Sequence, residues 1–245
     1  MKGTPLRLHY SWFIAFILIT AAVATQFSIS YPLWQKVILG ITASFLFFIG
    51  IVVREFAITL IAHLKGVSVR SVTLFALGGV IQTNAAVPPG LDLLLAVVGL
   101  LSNLILAAIF YVVYLVLAHT GSVIVEVMVQ WLAFIYFMLV LLHFIPVFPL
   151  DGGRALRVGL YKIFGRYELI TLILTWLGWV TGLLFIGGGV LLLITAQEWF
   201  TGGLLAFAGF VLQSAATDSR RQARKFQVAT IPPTISHPEP PPSPP

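Results

Sequence analysis

The stretch His143-Phe144-Ile145-Pro146-Val147-Phe148-Pro149-Leu150-Asp151-Gly152-Gly153-Arg154 closes a long apolar run with two prolines, an aspartate and a glycine pair. Proline lacks an amide donor and disfavours helix in the residue before it. Pro146 and Pro149 therefore break the helix ahead of Asp151, and Gly152-Gly153 permits a sharp turn. The run before them starts near residue 124, and crossing a bilayer takes about 20 mostly apolar residues. An unwound segment at membrane depth is tolerated only where it faces protein or a water-filled cavity. Asp151 thus marks a candidate polar site at the end of a span.

The whole chain supports a membrane setting. Of its 245 residues 59% are hydrophobic and only 9% charged, where soluble domains carry about 25% charged residues. A soluble globular protein is excluded, and so is a disordered one, which would be polar and poor in aromatics. The absence of cysteine removes disulfides, thiolate metal sites and a cysteine nucleophile. A net charge of +6 forms no basic stripe, so nucleic acid is not expected as a partner.

Six candidate spans lie near 10–28, 37–64, 91–118, 124–148, 169–194 and 202–217. Lys2, Arg7, Lys65, Arg70, Arg154, Arg157, Lys162, Arg166, Arg220, Arg221, Arg224 and Lys225 fall on one side, and only Lys36 on the other. By the positive-inside rule both termini are cytoplasmic, in an integral, multi-pass protein of the cell membrane. The first segment is read as a retained helix, with cleavage of a signal peptide near Ala22-Val23-Ala24 as the alternative.

Two stretches depart from the apolar pattern. Residues 67–75 and 80–83 alternate β-branched and polar side chains around Gly78-Gly79, which predicts a small cytoplasmic β-hairpin with a break at Pro88-Pro89-Gly90. Its open edge could accept an extended peptide by strand addition. Eight prolines fall between Pro232 and Pro245, so the chain is divided into a membrane domain, 1–226, and a disordered Pro-rich tail, 227–245.

Ionisable residues inside a bilayer are functional-site candidates by default. Arg54-Glu55 stands ten residues before Lys65 in the second span, roughly 15 Å from its cytoplasmic end at about 1.5 Å per residue. That span and the fourth both run toward the cytoplasm, so Arg54, Glu55 and Asp151 can meet at similar depth.

Phe75-Ala76-Leu77-Gly78-Gly79-Val80, Gly99-Leu100-Leu101-Ser102-Asn103 and Pro146-Val147-Phe148-Pro149-Leu150-Asp151-Gly152-Gly153-Arg154 occur in that order. Together they resemble the site-2 protease family of intramembrane zinc metalloproteases, over about Leu6 to Lys225. The resemblance implies an all-α polytopic fold of about six transmembrane helices with a cytoplasmic-face hairpin. It implies that a His-Glu-x-x-His zinc motif belongs in the second span, that Asp151 matches the third zinc ligand, and that Asn103 walls the catalytic cavity.

The match breaks at the zinc motif, which falls on Arg54-Glu55-Phe56-Ala57-Ile58. Glu55 keeps the general-base position, but Arg54 and Ile58 stand where both histidines belong. Isoleucine offers no lone pair, and arginine stays protonated, placing positive charge where the cation would sit. One inherited ligand is too few for catalytic zinc, which takes three. Arg54 is therefore expected to neutralise the pocket formed with Glu55 and Asp151. A rearranged set of Glu55, His143 and Asp151 is the alternative, since His143 stands where the family usually has Asn. His63 lies on nearly the opposite helix face from Arg54, while His9, His119 and His237 read as interfacial or solvated.

Three functions follow. The first is a pseudoprotease without a cofactor that binds transmembrane proteins or other partners in the lipid bilayer without cutting. The second is an active zinc metalloprotease using His143. The third is a transporter or channel, against which the motif order argues.

Overall fold

The computed structural model describes residues 5–27, 31–83, 87–118, 123–196 and 199–230. The elements run β1 (Leu6–Leu8), α1 (Ser11–Thr25), α2 (Leu33–Leu64), β2 (Val69–Phe75), β3 (Gly78–Thr83), α3 (Pro89–Leu117), α4 (Val123–Phe144), α5 (Asp151–Phe164), α6 (Tyr167–Thr195) and α7 (Trp199–Thr230). His119, His237 and most of the Pro-rich tail lie outside the described residues.

Among the described residues four helices are long and apolar enough to cross a membrane: α2, α3, α4 over Ile124–His143, and α6. Their outward faces are apolar, with Leu101, Ile105 and Val112 of α3 and Leu172, Trp176 and Leu184 of α6 all exposed. Lipid is the solvent such surfaces require, and the chain is an integral membrane protein. The expected count of six is thereby reduced. Helix α1 has 15 residues, about 22 Å at 1.5 Å per residue, against a hydrocarbon core of about 30 Å. The sixth expected span falls in α7, whose apolar part gives way to Asp218, Arg220 and Arg221 within the same helix.

The predicted hairpin forms, but as part of a three-stranded sheet in the order β1-β2-β3. Strand β1 pairs parallel with β2 through Leu6↔Val72 and Leu8↔Leu74, and β3 returns antiparallel with Phe75 opposite Gly78. Ala76 and Leu77 make the turn, so Gly78-Gly79 begins β3 instead of forming the reversal. Pro89 stands at the first turn of α3, where its missing donor costs nothing; the expected break there is a helix start. Helix α5 was not anticipated, and Gly152-Gly153 lies within its first turn. The two glycines are spacers instead of a bend. A Cβ on Gly152 would stand 2.6 Å from the Phe144 carbonyl oxygen, and one on Gly153 2.2 Å from the Val147 carbonyl carbon.

The core joins α1, α2, α3 and α4 through aromatic packing. Trp12 stacks on Phe48 at 4.2 Å between centroids, and the Tyr136 hydroxyl donates to the Phe47 carbonyl at 2.5 Å. The Trp12 indole also donates to the Phe75 carbonyl at 3.0 Å, tying α1 to the sheet. Helices α6 and α7 approach closely where glycines face each other. A Cβ on Gly182 would stand 2.8 Å from the Gly209 carbonyl oxygen, and one on Gly189 2.5 Å from that of Gly202. Small residues of this kind let spanning helices pack backbone to backbone.

Candidate functional site

Two helices bring the site together. Helix α2 supplies Arg54 and Glu55, each 2% exposed, and the start of α5 supplies Asp151, also 2% exposed. The chain between α4 and α5 unwinds over 145–150, which lets Asp151 enter the protein interior at the first turn of α5. The Arg54 guanidinium donates from Nη1 to Glu55 Oε1 and from Nη2 to Asp151 Oδ2. One cation thus bonds both carboxylates.

Glycines make room for this group. A Cβ on Gly79 would lie 2.5 Å from Glu55 Oε2, and one on Gly99 2.5 Å from Asp151 Oδ2 and 2.8 Å from Arg54 Nη2. The start of β3 closes over the pair from one side and α3 backs it from the other. No side chain larger than hydrogen fits at either position without movement.

The ion pairs continue beyond the expected residues. Arg154 Nη1 lies 3.8 Å from Asp151 Oδ1, and Arg154 Nε donates to Asp92 Oδ1 at 3.0 Å. Arg157 donates from Nε and Nη2 to Asp92 Oδ2 at 3.1 and 2.5 Å. The Tyr167 hydroxyl donates to the same oxygen at 3.0 Å, while Arg157 lies over the rings of Phe148 and Tyr167 at 4.5 and 4.7 Å. The series Glu55, Arg54, Asp151, Arg154, Asp92, Arg157 alternates in sign, with three acids against three bases. Buried charges are tolerated when paired and hydrogen-bonded in this way. Sequence reading missed Asp92, although an acid in the first turn of an apolar span was the available signal.

His143 is 4% exposed and its Nδ1 lies 2.8 Å from the Leu139 carbonyl oxygen. A carbonyl only accepts, so Nδ1 carries the proton, and in the neutral imidazole Nε2 keeps a lone pair. That nitrogen stands 3.6 Å from where a Gly78 Cβ would be, with Glu55 Oε1 at 3.5 Å and Arg54 Nη1 at 3.1 Å from the same point. A cleft adjoins the group, lined by Ile58 as well as Phe75, Ile81, Leu142, Val211 and Leu212. Among the described residues Glu55 Oε2 and Arg54 Nε have no hydrogen-bond partner.

The remaining expected residues are placed apart. Asn103 is fully buried, one helical turn beyond Gly99, and is not among the residues lining the cleft. Its amide atoms have no partner among the described residues. His63 bonds the Thr59 carbonyl oxygen within its own helix at 3.1 Å.

A zinc ion does not fit this donor set. Both carboxylates are engaged by the Arg54 guanidinium, Ile58 contributes only hydrocarbon, and no three His, Asp or Glu side chains among the described residues converge as ligands. Catalytic zinc takes three protein ligands with an open position.

Known proteins place the architecture. The chain is 30% identical over 239 residues, 93% of its length, to "Putative zinc metalloprotease Rip3" of Mycobacterium tuberculosis, and spans 59% of that protein. It is 26% identical over 167 residues to "Zinc metalloprotease MJ0392" of Methanocaldococcus jannaschii, covering 67% of this chain and 45% of the relative. The solved structure "Site-2 Protease from Methanocaldococcus jannaschii" superposes with a TM-score of 0.66 at 21% identity, covering 89% of this chain and 92% of that one. No protein-family model matches.

Proposed function

This chain is a relative of the site-2 proteases in sequence and in fold, and from that premise we propose that it is a membrane-embedded pseudoprotease, binding membrane-protein segments without cutting them. The observation that carries the reading is Arg54. In a zinc protease of this type the metal lowers the pKa of a bound water so that a glutamate can take its proton. Here a guanidinium bonds Glu55 and Asp151 together. Glu55 then serves as a partner of Arg54, and no electrophile is left to activate water.

Binding remains chemically reasonable. Strand β3 lines the cleft with Gly78, Gly79, Val80 and Ile81, and an extended segment could pair with its free edge. We further propose the orientation that the charges favour, with the sheet, the α5 helix and both termini cytoplasmic, in the cell membrane.

One observation favours a second reading, an active zinc protease using Glu55, His143 and Asp151. The His143 Nε2 lone pair and Glu55 Oε1 come to the same point beside Gly78. That reading requires Arg54 to swing out of both ion pairs. Reconstitution with membrane-protein substrates separates the two. Equal absence of cleavage by the parent and by Glu55→Gln, with the substrate still retained by both, supports the pseudoprotease. Cleavage by the parent that is lost in Glu55→Gln overturns it.

A further inference from the structure

The site does not use the far end of α5, where the sequence Lys162-Ile163-Phe164-Gly165-Arg166 turns the chain into α6. The N-terminal half of α5 is held by Asp92, which sits in the first turn of α3, through Arg154 and Arg157. That places α5 at the same end of the spans as the sheet. Its last turn then leaves the protein. Ile163 is 73% and Phe164 63% exposed, and neither joins a packed core cluster. Gly165 ends the helix in a left-handed conformation, φ 68°, and the candidate span α6 starts two residues later.

Arg166 is exposed and is the N-cap residue of that span, at the end of an apolar helix whose first turns expose Leu169 and Ile173 by about half. A cation at the end of a spanning helix lies at headgroup level. Lys162 lies in the last turn of α5, before the Gly165 reversal, and neither cation forms an ion pair among the described residues. Two exposed apolar side chains between two unpaired cations match a phospholipid: acyl chain against Ile163 and Phe164, phosphate against Lys162 and Arg166.

We propose that the α5–α6 corner, Lys162 to Arg166, is a binding site for an anionic phospholipid at the membrane surface. It holds the far end of α5 against the bilayer while the near end carries Asp151 into the ion-pair group. The inference rests on the membrane setting and not on whether the protein cuts.

The test uses the full chain purified in detergent, with phosphatidylglycerol or phosphatidylcholine added and bound lipid counted by native mass spectrometry. The parent is expected to retain phosphatidylglycerol in preference to phosphatidylcholine. Lys162→Gln should weaken phosphatidylglycerol about fivefold, and Lys162→Gln with Arg166→Gln about 25-fold. Lys162→Arg with Arg166→Lys should bind like the parent. Ile163→Ser with Phe164→Ser should lose lipid while keeping both cations; undiminished retention would point to a simple anion site and overturn the lipid reading. Equal retention of both lipids by the parent overturns the proposal as well. So does equal phosphatidylglycerol binding by the parent and the Lys162→Gln variant, the single change being the arbiter if the double variant melts early.

Discussion

Arg54 and Asp151, separated by 97 positions in sequence, form a buried ion pair that joins the second helix to the start of the fifth. Glu55 completes it on the other side of the guanidinium. Removing one partner of such a group strands the others in a low-dielectric interior. Arg54→Ala is therefore expected to destabilise the fold by about 3–5 kcal/mol, read as a lower melting temperature in detergent and reduced membrane accumulation. Adding Glu55→Gln and Asp151→Asn to the variant removes the stranded charges and should recover most of the loss. An Arg54→Ala protein that melts like the parent would contradict this role.

Close approach at the glycines makes a sharper steric prediction. Gly79→Ala and Gly99→Ala each push a methyl group against the carboxylates of the ion-pair group, and overpacking of this kind costs about 1–3 kcal/mol. Gly159→Ala meets nothing within 4 Å in the middle of α5 and should be neutral or stabilising by up to about 1 kcal/mol. Melting curves of the three variants test the contrast, and equal behaviour would refute the packing.

Asp92 receives bonds from Arg154, Arg157 and Tyr167. Asp92→Asn keeps the shape and leaves the two arginines without their carboxylate, at an expected cost of about 3–5 kcal/mol. Tyr167→Phe removes one donor only and should cost about 1–3 kcal/mol, the range for hydrogen bonds to charged groups. A cost for Asp92→Asn no larger than that for Tyr167→Phe would show that the arginines do not depend on it.

At the sheet, His9 gives a pH dependence. Its Nδ1 accepts from the Ser11 backbone N–H at 3.3 Å, and burial lowers its pKa, with Asp218 opposing. The folded state thus disfavours the proton that the unfolded chain takes up near pH 6.5. Stability contributed by His9 is present above that pH and lost as pH falls through it. The melting-temperature difference between pH 7.5 and 5.5 should shrink in His9→Gln. An unchanged difference would exclude His9 as its source.

The sequence was most informative where apolar runs met charge. The alternation in 67–75 and 80–83 located two strands, and the proline-flanked Asp151 and the pair Arg54-Glu55 pointed to residues that do converge. Strand β1 was hidden because Leu6–Leu8 is three residues long and finds its partner 66 positions away, at Leu6↔Val72. Helix α5 was hidden because its glycines suggest a turn when their need is close packing. Asp92 escaped notice because its partners, Arg154 and Arg157, read as topogenic charges until α5 folds against α3.

The central claim is that Arg54 and Ile58 have replaced a metal centre with a fixed cation and an apolar side chain. Its most direct measurement is zinc per chain, determined by elemental analysis of the purified parent and of the Arg54→His, Ile58→His double variant. The account predicts no stoichiometric zinc in the parent and about one zinc per chain in the variant, where histidines at i and i+4 join Asp151. One tightly held zinc in the unaltered protein would contradict it.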